Sequence, residues 1–265
     1  MTETDILDTF IEKAKENVAN GYYAISGTKT NKNSARVSVK QKLLSQLFSL
    51  IAEIKHASPA GEYSFDNIDV EKTARDFMEC GADAVSVVVE PQIFKGNLGN
   101  IPMVKGAAPE LPVLFKDFVI STEQINAAAY YGADCILLVM KVADRLGLDI
   151  NKLIEAAHEH GLEVLLECYD SDEMKRANET NADILGINNR DLRTLKVDLN
   201  RTKQILDETR TQSGTINKPV ISESGIKTKS DAEFVRACGV NGILVGTAIW
   251  KADNLRDKVT ELRLR

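Results

Sequence analysis

The sequence predicts an α/β chain closed as a (β/α)8 TIM barrel, with an N-terminal helical extension. Three observations lead there. First, one short pattern recurs in "CGADAVSVVV" from Cys80, "YGADCILLVM" from Tyr131, "TNADILGIN" from Thr180 and "CGVNGILVG" from Cys238. A Gly or Asn suited to the left-handed end of a helix comes first, then a small or apolar residue, a polar or amide residue, and an apolar run. Second, those runs are continuous in Val, Ile and Leu, as in parallel strands buried on both faces. Third, helical stretches separate consecutive strands, and strict alternation most simply closes a barrel. A doubly wound open sheet is the alternative; the near-fourfold repeat and the lack of a G-x-G-x-x-G loop count against it.

Taken in order, residues 1–48 form the extension and 49–265 the barrel, in one domain spanning 1–265. "DILDTFIEKAKENVANG" spaces Ile6, Phe10, Ile11, Ala14 and Val18 as an amphipathic helix ending near Gly21, and "SVKQKLLSQLF" reads as a second helix. Neither could bury a core alone, so both are expected to pack on the barrel. The remaining strands are "LIAEIK" from Leu50, "PVLFKDF" from Pro112, "LEVLLEC" from Leu162 and "KPVISES" from Lys218. Ser121 with Gln124 resembles a capping box. Ser171, Asp172 and Glu173 bring negative charge to a helix start. "GNIPMVKGAAPE" is the weakest helix, with two prolines and two glycines.

Of 265 residues, 43% are hydrophobic and the net charge is −6. No basic stripe with interleaved aromatics appears, so nucleic acid is not an expected partner. The acidic, amphipathic start is unlike a signal peptide, and no apolar run approaches the roughly 20 residues of a membrane span. A soluble cytoplasmic protein, monomeric or weakly self-associating, is expected. Cys80, Cys135, Cys168 and Cys238 show no C-x-x-C spacing and read as small buried hydrophobes in a reducing compartment. His158 and His160 in "HEHG" are two apart at a helix end, so they do not share a ligand. They read as complementing the helix C-terminus before Gly161, and no metal is expected.

Barrel enzymes work at the C-terminal ends of their strands. Those ends carry Glu53 and Lys55, then Glu90, Lys116, Lys141, Glu167, Asn188, Glu223 with Ser224, and Gly246 with Thr247. Alternation puts Glu53 and Lys55 on the face of Ile51, Lys116 on that of Leu114, and Glu167 on that of Leu165. Unpaired charges there are costly. Mutual ion pairing would offset the cost, but it does not explain why nearly every strand contributes. "SESGIKTKSD" and "VGTAIW" each place a glycine where backbone N–H groups can approach a ligand, at the usual barrel phosphate position. A small phosphorylated substrate is therefore expected.

These residues resemble the indole-3-glycerol-phosphate synthase family over nearly the whole chain. The resemblance rests jointly on "IAEIKHASP", "FKG" at Phe94–Gly96, "LFKDF", "GINNRDL", "SESGI" and "LVGTAIW". It implies a cofactor-free, decarboxylating ring closure of 1-(2-carboxyphenylamino)-1-deoxyribulose 5-phosphate to indole-3-glycerol phosphate, CO₂ and water, in tryptophan biosynthesis. It further implies that Lys116 protonates the ribulose carbonyl. Lys55 would meet the anthranilate carboxylate and assist dehydration. Glu167 would be a base-like carboxylate, and Glu53 would serve the later proton transfers. Asn188 and Arg190 would orient the substrate hydroxyl and carboxylate, and Phe94 and Phe118 would wall the anthranilate ring. Ser58, Ser224, Gly225, Gly246 and Thr247 would cradle the phosphate.

Neighbouring lysines are expected to lower the Lys116 pKa. The chain departs from the family pattern at Ala60, Glu62, Thr247 and Cys168. Competing readings are another phosphate-binding barrel enzyme such as phosphoribosylanthranilate isomerase or the tryptophan synthase α subunit, a Schiff-base aldolase using Lys116 or Lys55, and a silent barrel kept as an assembly partner.

Overall fold

A computed structural model describes residues 5–25 and 36–264; the remainder of the predicted extension, 1–4 and 26–35, and Arg265 lie outside the described residues. Eight parallel strands form a closed barrel in chain order: β1 Ser49–Ile54, β2 Ala84–Val88, β3 Val113–Lys116, β4 Cys135–Val139, β5 Glu163–Cys168, β6 Ile184–Asn188, β7 Val220–Glu223 and β8 Gly242–Val245. The ring closes where Ser49 of β1 pairs with Gly242 of β8. Two helices precede it, α1 Ile6–Ala19 and α2 Val39–Ser45. Between the strands run α3 Val70–Glu79, α4 Asn100–Ala107, α5 Thr122–Tyr131, α6 Met140–Leu146, α7 Ile150–Glu159, α8 Ser171–Glu179, α9 Asn200–Ser213 and α10 Lys229–Ala237. After β8 come α11 Thr247–Trp250 and α12 Leu255–Leu262.

The recurring polar residue has one job in all four copies. Asp83, Asp134, Asp183 and Asn241 each precede an even-numbered strand and accept a hydrogen bond from the backbone N–H at or near the start of the strand before it. The donors are Leu50, Val113, Val164 and Val220, at 2.9, 2.8, 3.0 and 2.9 Å. A helix end is thereby clipped to a strand start, which sets the register at the bottom of the barrel. Gly81, Gly132 and Gly239 take the left-handed conformation expected of them, with φ of 82°, 90° and 95°. Asn181 does not; α8 ends instead at Thr180 in an extended conformation.

Side-chain alternation splits the core in two. Ile51, Leu114, Leu165, Ile221 and Leu244 fill the barrel. Leu50, Val85, Phe115, Leu138 and Leu166 face the helices. Cys135 and Cys168 are buried, whereas Cys80 and Cys238 are partly exposed, so only half of the cysteines meet the expectation. Cys168 points toward the helices and Glu167 into the barrel, so the two share a strand and not a face.

The extension covers both ends of the barrel. The α2 segment lies under it: Ser38 bonds to Glu163 at the start of β5, and the Lys40 N–H donates to the same carboxylate. The α1 helix lies across the mouth beside β2 and β3. Its buried face is Leu7, Phe10, Ile11, Ala14 and Asn17, with Ile6 and Val18 only half-buried, because Asn17 turns inward to reach Glu90. The predicted capping box at Ser121 is absent; Gln124 instead accepts from Ile120 N–H and donates to the Phe118 carbonyl. A capping box does occur at Thr228 with Asp231. His158 pairs with Asp183 at 2.9 Å rather than with its own helix end.

Candidate active site

The inward positions at the tops of the strands line a cavity of about 760 Å³ at the C-terminal mouth. Glu53, Lys55, Lys116, Glu167, Asn188, Arg190 and Glu223 all face it, as do Phe94, Phe118, Ser224, Gly225, Gly246 and Thr247. Lys141 does not. It falls in α6 and pairs with Glu173 at 3.4 Å and Asp170 at 3.8 Å on the outside of the mouth.

Charge dominates the floor. Lys55 Nζ meets Glu53 Oε1 at 2.8 Å, while Lys116 Nζ lies 3.8 Å from Glu223 Oε2. Asn188 donates to Glu167 Oε1 at 3.0 Å and, through Oδ1, accepts the Arg190 backbone N–H at 2.9 Å. Trp250 Nε1 donates to the Glu53 carbonyl at 2.8 Å and pins the end of β1.

Burial opposes charge on Glu53, but Lys55 and Lys116 outweigh it and hold the carboxyl below its ordinary value. Burial likewise opposes charge on Lys116, and here Glu223, Glu167 and Glu53 outweigh it, so the ammonium sits above its ordinary value. This reverses the expectation of a lowered Lys116. The groups around it are carboxylates from β1, β5 and β7, brought together by closure of the barrel. Burial pushes Glu223 up to about 8, with Glu167 and Glu53 adding to the rise and Lys116 countering it.

One wall is aromatic. Phe94 and Phe118 stand 6.5 Å apart between ring centroids, and Phe10 from α1 stacks on Phe118 at 4.7 Å and tilts toward Phe94 at 5.9 Å. Buried carboxylates shape the two loops that carry these rings. Glu90 accepts the backbone N–H groups of Gln92, Ile93 and Phe94 and the Asn17 amide. Asp117 accepts the Phe118 N–H at 2.8 Å and the Tyr23 hydroxyl at 2.6 Å.

The opposite wall is the pair of glycine loops. Ser224 and Gly225 both take left-handed conformations, with φ of 68° and 83°. Gly246 precedes α11, and a Cβ there would overlap Glu53 Oε1; at Gly186 on β6 a Cβ would overlap Glu223 Oε1. These two glycines make room for the carboxylates, a reason the sequence did not disclose.

Ser58 sits behind the cavity wall formed by Pro59, Ala60 and Glu62. It does not line the cavity, and its hydroxyl donates to Glu62 Oε2 at 2.9 Å. Glu62, one of the departures from the family pattern, thus occupies the hydroxyl that the resemblance offered to a phosphate. Phe10, Asp117 and Glu223 border the cavity without having been assigned a role from sequence. Phe10 was legible only as helix core, Asp117 lay inside the quoted "LFKDF", and Glu223 stood among the strand ends. Among the described residues, no group of three or more His, Cys, Asp or Glu could hold a metal ion.

Fold and mouth together define a (β/α)8-barrel enzyme, with ionisable groups on the floor, an aromatic wall and a backbone-lined loop pair. A family model described as indole-3-glycerol phosphate synthase matches residues 7–262. The chain is 38% identical over 255 residues to indole-3-glycerol phosphate synthase of Exiguobacterium sibiricum, covering 96% of this chain and 95% of that one. It is 37% identical over 227 residues to the Methanopyrus kandleri protein of the same name, covering 85% and 86%.

The chain belongs to the indole-3-glycerol-phosphate synthase family, the decarboxylating lyases of tryptophan biosynthesis. Among solved structures, a 3-hexulose-6-phosphate synthase superposes with a TM-score of 0.64 at 19% identity, covering 82% of this chain and 98% of that one. A thiamine phosphate pyrophosphorylase from Pyrococcus furiosus gives 0.61 at 20%, covering 83% and 95%. Both likenesses are of fold alone. No described helix is long and apolar enough to cross a membrane.

Proposed function

We propose that the cavity binds 1-(2-carboxyphenylamino)-1-deoxyribulose 5-phosphate and closes its indole ring, using the residues on the floor as acids and bases. The observation that carries this is Lys116, placed among Glu223, Glu167 and Glu53 between an aromatic wall and a pair of glycine loops. The anthranilate ring lies in the slot of Phe94, Phe118 and Phe10, and the phosphate lies on the backbone around Ser224, Gly225, Gly246 and Thr247.

As the ring carbon bearing the carboxylate attacks the ribulose carbonyl, the C=O electron pair moves to oxygen and Lys116 supplies the proton. A raised lysine pKa suits that step, because the oxygen becomes an alkoxide, a stronger base than the amine. Lys55 neutralises the carboxylate until it leaves as CO₂, with the C–C electron pair returning to the ring. Glu167 takes a proton in the steps that follow, Glu53 serves the later transfers, and the hydroxyl departs as water with a proton from Lys55. Asn188 and Arg190 orient the hydroxyl and carboxylate. The sequence of proton transfers needs no cofactor, and a cytoplasmic location suits a biosynthetic enzyme.

Purified protein incubated with this substrate should develop indole fluorescence. Folded protein that gives no signal would remove the reading.

A further inference from the structure

Asn189 follows Asn188 at the end of β6, but alternation turns it away from the cavity, into the layer between the sheet and α9. There it meets Ser222 of β7 and Thr202 of α9, and all three side chains are fully buried. Asn189 Nδ2 donates to Ser222 Oγ at 2.9 Å, Thr202 Oγ1 donates to Asn189 Oδ1 at 2.8 Å, and the two hydroxyls are 2.7 Å apart. Each hydroxyl has one proton. The Thr202 proton is used on Asn189, so Ser222 must donate to Thr202. The three groups close a ring in which each group both donates and accepts. One proton is left over, the second on Asn189 Nδ2, and it goes to the carbonyl of Ser224 at 3.1 Å.

That carbonyl belongs to a residue in an unfavourable conformation. Ser224 has φ of 68° with a Cβ, and Gly225 follows at 83°. Such a turn persists only where its surroundings over-determine it. The Asn189 backbone is itself fixed, its N–H donating to the Glu223 carbonyl at 2.9 Å and its carbonyl accepting from Asp198 N–H at 3.0 Å. Three apolar side chains of similar shape could fill the same space at little cost. A polar ring with a single outlet, aimed at the turn that borders the cavity, calls for another explanation.

We infer that Asn189 is a positioning residue: clamped by Thr202 and Ser222, it holds the left-handed Ser224–Gly225 turn in the shape that receives an anion. This rests on the proposal that the turn binds the substrate phosphate. Asn189 touches no substrate and acts through the turn.

The test uses inorganic phosphate as probe, titrated calorimetrically into wild type, Asn189→Leu and Thr202→Val, with melting curves to establish folding. Wild type should bind, Asn189→Leu should bind roughly tenfold or more weakly, and Thr202→Val should fall between, because its amide donor remains but is no longer clamped. In turnover, KM for the phosphorylated substrate should rise while kcat moves far less. The rate constant kcat/KM for the dephosphorylated substrate should be unchanged, which a merely structural role would not give. Equal phosphate affinity in wild type and a folded variant would overturn the inference and leave the phosphate reading standing. If Asn189→Leu does not fold, Thr202→Val decides by the same comparison. Wild type that binds no phosphate would overturn the phosphate reading and this inference with it.

Discussion

Lys116 Nζ and Glu223 Oε2 face each other at 3.8 Å across the barrel floor, a looser ion pair than the 2.8 Å contact between Lys55 and Glu53. The tighter pair is between Glu53 on β1 and Lys55 just beyond it, whereas the looser one joins β3 to β7. Lys116 is held charged by three carboxylates without being closed onto one of them. An arriving carbonyl oxygen can therefore take a place in its coordination without first breaking a short bond.

That arrangement separates proton transfer from simple field. Lys116→Arg keeps the charge, but a guanidinium does not release its proton at any relevant pH. Turnover should fall by roughly 10²-fold or more, with substrate affinity changed far less. An active arginine variant would remove the proton-donor role. Borohydride added with substrate should trap no adduct on Lys116; a trapped adduct would instead support Schiff-base chemistry.

Glu167→Gln preserves shape and the acceptor atom that Asn188 reaches at 3.0 Å, while removing basicity. Turnover should drop by roughly 10²-fold or more with binding nearly intact. Steady-state and equilibrium binding measurements together decide: lost affinity with a retained rate would make Glu167 a binding group.

Gly246→Ala tests the space a carboxylate needs. The backbone there, with φ of −120°, is not left-handed, but the added carbon would overlap Glu53 Oε1 and crowd Glu53 Cδ. Glu53 must move, and a displacement of about 1 Å at a reacting group can cost roughly 10²-fold in rate. The melting temperature should change little while kcat falls. A variant with wild-type kcat would show that the position of Glu53 is not critical.

Asp117 predicts a pH dependence of stability. Burial raises its carboxyl to about 7, against the bonds from Tyr23 and Phe118. An unfolded aspartate titrates near its ordinary value of about 3.9. Between those values the folded chain keeps a proton that the unfolded chain has released, so this group's contribution to stability falls as pH rises from about 4 through 7. Asp117→Asn removes the titration. The melting temperature of the variant minus that of wild type should therefore be higher at pH 7.5 than at pH 5. A constant difference would place the folded pKa of Asp117 in the ordinary range.

Strands were the most legible part of the chain because burial on both faces makes each one a continuous apolar run, and all eight formed where those runs stand. The period of two then carried Glu53, Lys116, Glu167 and Asn188 to the cavity without further information. What escaped depended on partners distant in the chain. Leu7 and Asn17 displaced Ile6 and Val18 from the buried face of α1 because Glu90 offers Asn17 a bond, and hydrophobic spacing does not register a buried amide. The sign of the Lys116 shift was missed for the same reason, since its carboxylates come from three other strands. Ser58 differs, because its partner Glu62 lies only four residues away, and the spacing of a coil segment does not tell which side chains meet.

The clips from Asp83, Asp134, Asp183 and Asn241 bear on how the barrel is assembled in time. They join residues 33, 21, 19 and 21 positions apart, so each closes a short loop at small entropic cost. Such local contacts can form without waiting for distant parts of the chain. Among the paired strands, only β1 against β8 joins neighbours that are not consecutive in the chain. Joining that pair carries the largest loop penalty, and it is the event that turns an open, curved sheet with two bare edges into a barrel with none.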